Sequence, residues 1–169
     1  SLVPREEARR ILSLDGAVIL FFGFVRDYKG LDILLRAIPA VLRHTPVTVL
    51  IIGEFWKDRR RYLDLIDGLG IRQAVRVEDR YVANEEMSRY FSAADLVVQP
   101  YREAASGSGV TQLAFAYGRP VVATRVGAMA DIIRDGEDGL LVDPDHPEAL
   151  AAAILRALEP EPLAGHTEH

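Results

Sequence analysis

Residues 99–124, QPYREAASGSGVTQLAFAYGRPVVAT, are the stretch around which the rest of the chain is arranged. They join the end of one apolar strand to a small-residue loop, Ser106-Gly107-Ser108-Gly109, then to an amphipathic helix and a second strand. A loop of glycines and serines that opens a helix gathers backbone N–H groups, hydroxyls and the positive end of a helix dipole in one place. These residue types point to an anion site, phosphate above all.

Outward from this stretch, short β-branched runs alternate with longer helical patterns. Ala17–Phe22, AVILFF, and Val47–Ile52, VTVLII, are continuous apolar runs too short for typical helices, the pattern of strands buried on both faces. They end at Gly23 and Gly53. Between them, Lys29–Arg43 places Leu31, Leu34, Leu35, Ile38, Val41 and Leu42 on one helical face, with Pro39 as a kink. Trp56–Leu69 reads as a second helix stopped by Gly70, with Tyr62, Leu63, Ile66 and Leu69 inward. Ala74–Val77 is a weaker strand, and Asn84 is expected to cap a helix that turns Met87, Tyr90 and Phe91 inward. Further strands are expected at Asp95–Val98, Val121–Ala123 and Leu140–Val142, with a short helix around Met129–Arg134. Pro147–Leu158 reads as a helix capped by Asp145 or His146, and residues 4–12 as a short charged helix with Ile11 and Leu12 inward.

About six strands alternating with helices predict an α/β fold, an open parallel sheet with helices on both faces. Ligands of such sheets bind at the carboxyl ends of the strands, where Gly23, Gly53 and the loop after Pro100 lie. The expected organisation is a leading segment with its short helix (1–16), one domain (17–158) and a frayed tail (159–169).

Composition narrows the function classes. Hydrophobic residues at 49% and charged residues at 27% are ordinary globular values. A net charge of -5 argues against a nucleic-acid partner, and the compact basic run Arg59-Arg60-Arg61 reads as a solvated helix face. With no cysteine there are no disulfides, zinc–thiolate sites or thiol nucleophiles, which suits a reducing compartment. No apolar run reaches the roughly 18 residues of a membrane span, and the start lacks the apolar core of a signal peptide. The expectation is a cytoplasmic protein.

The blocks GFVRDYKGLDILLRAI, VTVLIIGE, AYGRPVVATRVGAMADIIRDGEDGLLVDP and PEALAAAILRAL occur in this order from about Val18 to Leu158. Together they resemble the carboxyl-terminal, donor-binding domain of group 1 (family 4) glycosyltransferases of the two-domain GT-B fold. The resemblance implies a three-layer Rossmann-like sheet that binds a nucleotide-diphosphate sugar, and sugar transfer with retention of configuration. It implies no cofactor and no metal, the nucleotide sugar being the donor substrate. It also implies a partner half, an amino-terminal acceptor domain absent from this chain, through which the full-length protein can touch a membrane peripherally.

Carried over by position, the resemblance gives Gly23 as the glycine after the first strand, where the backbone approaches the donor. Phe24 stands where relatives carry an arginine that meets the diphosphate, and Arg26 is the nearby replacement. Lys29, before Gly30, sits at the position of a phosphate-contacting lysine, and Gly53-Glu54 at a strand-end turn beside the nucleotide. Arg80 falls in a loop that borders the base. In the opening stretch relatives carry two glutamates at fixed spacing. The second position falls on Leu113, which leaves Gln112 or Thr111 as the nearest polar replacement on the nucleotide side. Glu103 is the carboxylate for the first, catalytic role. Ser106, Gly107, Ser108, Gly109, Val110 and Thr111 complete the diphosphate cradle.

Two other readings remain at this point. Phe24 and Leu113 suit a binding or interaction module of the same fold that has lost the chemistry. An unrelated doubly wound domain, such as a sugar-phosphate isomerase or a response-regulator-like switch, shares the strand pattern. The switch version lacks paired acids after the first strand.

Overall fold

A computed structural model describes residues 4–103 and 109–159. Six parallel strands, β1 (Ala17–Phe22), β2 (Val47–Ile52), β3 (Val75–Glu78), β4 (Leu96–Gln99), β5 (Val121–Thr124) and β6 (Gly139–Val142), form one sheet in the order β3-β2-β1-β4-β5-β6. Chain direction across the sheet reverses between β1 and β4, which pair directly through Ile19 with Leu96 and Leu20 with Val97. That is the switch point at which doubly wound sheets open a crevice.

The two apolar runs become strands because both of their faces are covered. Ile19 and Phe21 of β1 and Val49 and Ile51 of β2 pack with Leu34, Leu35 and Ile38 of α2 (Leu31–Leu42), Tyr62 and Ile66 of α3 (Arg59–Leu69) and Ile154 of α7 (Pro147–Ala157). The alternate residues Val18, Leu20, Leu50 and Ile52 pack with Ala8 of α1 (Arg5–Ile11), Tyr90 and Phe91 of α4 (Asn84–Ala93), Ala114 of α5 (Gly109–Ala116) and Met129 of α6 (Met129–Ile132). Each Ile or Leu taken fully out of water stabilises the fold by roughly 1.5–3 kcal/mol, so the period-two alternation fixes the register. No helix among the described residues is long and apolar enough to cross a membrane.

Element starts differ from the sequence reading where a tertiary contact overrides a local signal. In α1 the buried residue is Ala8, with Leu14 beyond the helix, whereas Ile11 is 48% exposed and Leu12 only half-buried. Arg5 and Arg9, on the Ala8 side of the helix, both pair with Asp95 at the foot of β4, and this sets the rotation. The leading segment thus shares the core of the domain. The second helix starts at Arg59, not Trp56, because an isolated bridge between Val25 and Phe55 and a bond from the Phe55 N–H to Asp79 Oδ1 (2.9 Å) keep that segment extended. Lys29 lies in a 3-10 turn, Asp27–Lys29, and Gly30 at φ +70° separates it from α2. Pro39 sits within α2. Asn84 is the first residue of α4 and Ala83 precedes it as N-cap; His146 precedes α7; neither cap makes a side-chain bond. Arg59, Arg60 and Arg61 are exposed, as expected of a solvated face, and pair with Asp79, Asp64 and Asp27.

Two glycines are fixed by backbone approach. Gly53 has φ +143°, and a Cβ there would lie 1.9 Å from the Gly23 carbonyl oxygen. A Cβ on Gly30 would lie 1.9 Å from the Pro100 carbonyl oxygen. Gly70, at φ +69° with nothing within 4 Å, serves as the control. Gly70→Ala is expected to cost about 1 kcal/mol, the ordinary left-handed penalty, and Gly53→Ala more than about 2 kcal/mol because φ strain and overlap add. Urea unfolding of the two variants checks the difference; equal losses would contradict it.

Candidate donor site at the switch point

The ends of β1 and β2 are held together by a short extension of their ladder. The Gly23 N–H donates to Ile52 O (3.0 Å), the Gly53 N–H to Glu78 O (3.0 Å) and the Val25 N–H to Glu54 O (2.9 Å). The Glu54 carbonyl therefore braces the β1 loop, and its side chain is half-buried. Gly23, at φ +122°, turns the chain so that an added Cβ would lie 3.1 Å from Lys29 Nζ. The ammonium thus stands directly over the glycine at the strand end. Burial pushes Lys29 below the ordinary lysine value, and the Arg26 guanidinium lowers it further. The described residues include no carboxylate paired with either Lys29 or Arg26.

The other candidates separate into supports and surface groups. Thr111 is fully buried, and its hydroxyl donates to Gln99 Oε1 (2.6 Å). Gln99 Nε2 donates to the Tyr101 hydroxyl (3.2 Å), and Thr124 Oγ1 to Tyr101 O (2.6 Å). Thr111 therefore ties α5 to the end of β4, with its hydroxyl engaged by Gln99. Gln112 is exposed, Val110 is half-buried against the core, and Gly109 opens α5 at the surface. Leu113 packs against the apolar core, so no polar group occupies that position. Arg80 is exposed, and its fork donates to Glu86 of α4 (3.0 and 2.5 Å). Glu103 is exposed at the end of the described β4 loop. Ser106, Gly107 and Ser108 lie outside the described residues.

Arg102 is the residue that sequence reasoning missed. Its guanidinium donates to both oxygens of Asp32 (2.8 and 2.6 Å), to Asp145 Oδ1 (2.8 Å) and to Asp27 O (2.9 Å). Its own N–H donates to Tyr28 O (2.6 Å). One side chain thus ties the loop bearing Glu103 to the turn bearing Lys29 and to the start of α7. It also explains why Asp145, at φ +60°, does not cap α7. The only sequence signal was an arginine next to a candidate glutamate, with acids 70 and 43 residues away as partners. Burial pushes the Asp32 carboxyl up, but the hydrogen bonds and charge of Arg102 outweigh it and leave the group below the ordinary carboxylate value.

A carboxyl lowered by folding contributes stability that is complete above its unfolded value, about pH 4, and is lost as pH falls through the folded value. Arg102→Met is expected to lower stability at pH 7 by about 2–3 kcal/mol, because it leaves half-buried Asp32 unpaired. It should also flatten the acid-side loss between pH 5 and pH 3, the range spanned by roughly a unit either side of an unfolded carboxylate. Urea unfolding of both proteins across this range checks it; parallel pH profiles would contradict the assignment.

The chain matches the family described as Glycosyl transferases group 1 over residues 16–160. It is 36% identical to a D-inositol 3-phosphate glycosyltransferase of Nocardioides sp. over 172 aligned positions, covering 92% of this chain and 37% of that protein. Among solved structures it resembles the C-terminal domain of a group 1 family glycosyl transferase of Francisella tularensis, with a TM-score of 0.79 and 26% identity over 89% of this chain and 80% of that domain. It also resembles a sucrose-phosphate synthase of Thermosynechococcus elongatus, with a TM-score of 0.82 and 30% identity over 93% of this chain and 40% of that one. The chain therefore spans well under half of the full-length relatives it matches. With its six-stranded parallel sheet, its GT-B-type carboxyl-terminal architecture and a family match across nearly all the described residues, the chain belongs to the group 1 glycosyl transferases.

Proposed function

We propose that this chain is the donor-binding half of a retaining glycosyltransferase that moves a sugar from a nucleotide-diphosphate sugar to a glycan or lipid-linked acceptor. The observation that carries the reading is the Lys29 ammonium, half-buried over Gly23 at the strand ends and without a carboxylate partner among the described residues. An ammonium held in that way is poorly solvated and gains most from an anion brought to it. The N–H groups of Gly109 and Val110, with the positive end of α5, are the proposed further partners of a diphosphate on Lys29. These groups stabilise the charge that develops on the leaving diphosphate as its bond to the anomeric carbon breaks. Glu103 has the role of orienting the sugar or offsetting positive charge at that carbon, and the acceptor hydroxyl comes from an amino-terminal half outside this chain. The relatives' greater length supports that division.

A second reading has its own support: Phe24 presents no charge at the strand end, and Leu113 is packed into the core. Both suit a domain that binds nucleotide sugar without catalysing transfer. On either reading calorimetry with UDP-glucose, UDP-N-acetylglucosamine and GDP-mannose should reveal weak binding of at least one of them. Lys29→Ala should weaken it at least about tenfold, the effect of losing one charge-assisted contact of about 1.4 kcal/mol. The chain alone should transfer no sugar in a turnover assay. Efficient turnover would overturn the half-enzyme reading, and binding unaffected by Lys29→Ala would overturn the site.

A further inference from the structure

Phe24 and Trp56 form a cluster with Arg26 at the ends of β1 and β2, and the donor reading leaves its two rings unused. Trp56 is 60% and Phe24 44% exposed, two of the few large apolar side chains left in water among the described residues. Their rings meet edge to face at 5.3 Å between centroids, and the Arg26 guanidinium carbon lies 4.1 Å from the centre of the Trp56 ring. Single exposed aromatics need no explanation, but an aromatic pair that carries an arginine is a specific arrangement. The backbone beneath is rigid: the Val25–Phe55 bridge zips the two loops, and Asp79 holds the Phe55 N–H.

The charges around the cluster are unbalanced. Asp27, next in the chain to Arg26, is engaged by Arg61 (3.3 Å) and Arg102 (3.8 Å), and Asp79 by Arg59 (3.1 Å). The Arg26 guanidinium has no hydrogen bond or ion pair to any described residue, so its N–H groups stay free to donate to a ligand. A second cation, Lys29, lies in the same turn, its backbone N–H donating to the Arg26 carbonyl (3.0 Å), and the Arg26 charge disfavours the lysine's charged form. Two cations in one turn with no paired acid among the described residues lower the cost of bringing in a doubly charged anion.

We infer that Trp56, steadied by Phe24, is a positioning residue that holds Arg26 as the second cation of the Lys29 site, so that a nucleoside diphosphate is gripped by an ammonium and a guanidinium together. The inference rests on the donor reading and adds Trp56, which touches Arg26 and not the phosphate. A stacked guanidinium gives up less rotamer freedom on binding than a free one.

Trp56 is the chain's single tryptophan, so its emission reports the contact directly. Titration with UDP is expected to shift that emission in the unaltered chain and not in Arg26→Gln. By calorimetry, Trp56→Leu should weaken UDP binding about three- to fivefold, the scale of one exposed cation–π contact. Trp56→Phe should bind within about twofold of the unaltered chain because a ring face is retained. Arg26→Gln should weaken binding at least as much as Trp56→Leu, and adding Trp56→Leu to it should cost nothing more. Trp56 is at the surface, so thermal unfolding of all variants should match, which separates this effect from misfolding. UDP binding that depends on Lys29 but is indifferent to Trp56 and Arg26 would overturn this inference and leave the donor reading standing. Failure of the unaltered chain to bind UDP, pyrophosphate or any nucleotide sugar would overturn both.

Discussion

The close approach of Gly53 to Gly23 is the constraint on which the site depends. With the carbonyl of one glycine occupying the space that a side chain on the other would fill, the ends of β1 and β2 can turn away from the sheet together. The ladder then continues for one more bridge, Val25 with Phe55. The candidate cluster flanks that bridge: Phe24 and Arg26 on one side, Trp56 on the other, and Lys29 folded back over Gly23 by the short turn before Gly30. Gly30 makes the same kind of approach to Pro100, and so brings the β4 loop against the Lys29 turn.

Charge is distributed unevenly across this edge. Around the rim, arginines and aspartates are matched: Arg59 with Asp79, Arg61 with Asp27, Arg80 with Glu86, and Arg102 with Asp32 and Asp145. Most of these pairs are solvated and contribute little singly. The Arg102 pair with Asp32 is better shielded, and it links three segments far apart in sequence. Against this matched background the Lys29 and Arg26 side chains have no carboxylate partner among the described residues, the pattern expected of a surface arranged for an anion that arrives from outside. The departures at Phe24 and Leu113 then have different meanings. Leu113 has joined the apolar core, whereas Phe24 has joined a ring pair that carries an arginine.

Legibility in the sequence followed how local each signal is. AVILFF and VTVLII located their strands residue for residue, since a strand covered on both faces has to be apolar throughout. Helix starts were less readable, because Trp56 and Asp145 carry local helix or cap signals that a distant partner overrides: a bridge for Trp56's segment and Arg102 for Asp145. Ile11 was misplaced for the same reason, its helix being rotated by two arginines reaching Asp95. At the candidate site, position in the sequence was enough to put Gly23, Gly53 and Lys29 together at the strand ends. The Thr111 hydroxyl was not readable, since only the fold reveals that Gln99 lies beneath it. The Arg102 clamp has no periodicity to announce it, and the stacking of Arg26 on Trp56 joins loops from two different strands.

The central claim, that Lys29 is half of an unmatched cation pair awaiting a diphosphate, is open to direct measurement by side-chain NMR of the lysine ammonium as a function of pH, with and without UDP. Without ligand the account predicts titration below the ordinary lysine value, because burial and then Arg26 disfavour the charged form. With saturating UDP the titration should move upward, since a bound anion favours that form, and by linkage affinity should fall as pH rises through the unliganded value. An ordinary lysine titration in the free chain, or one that does not respond to UDP, would contradict it.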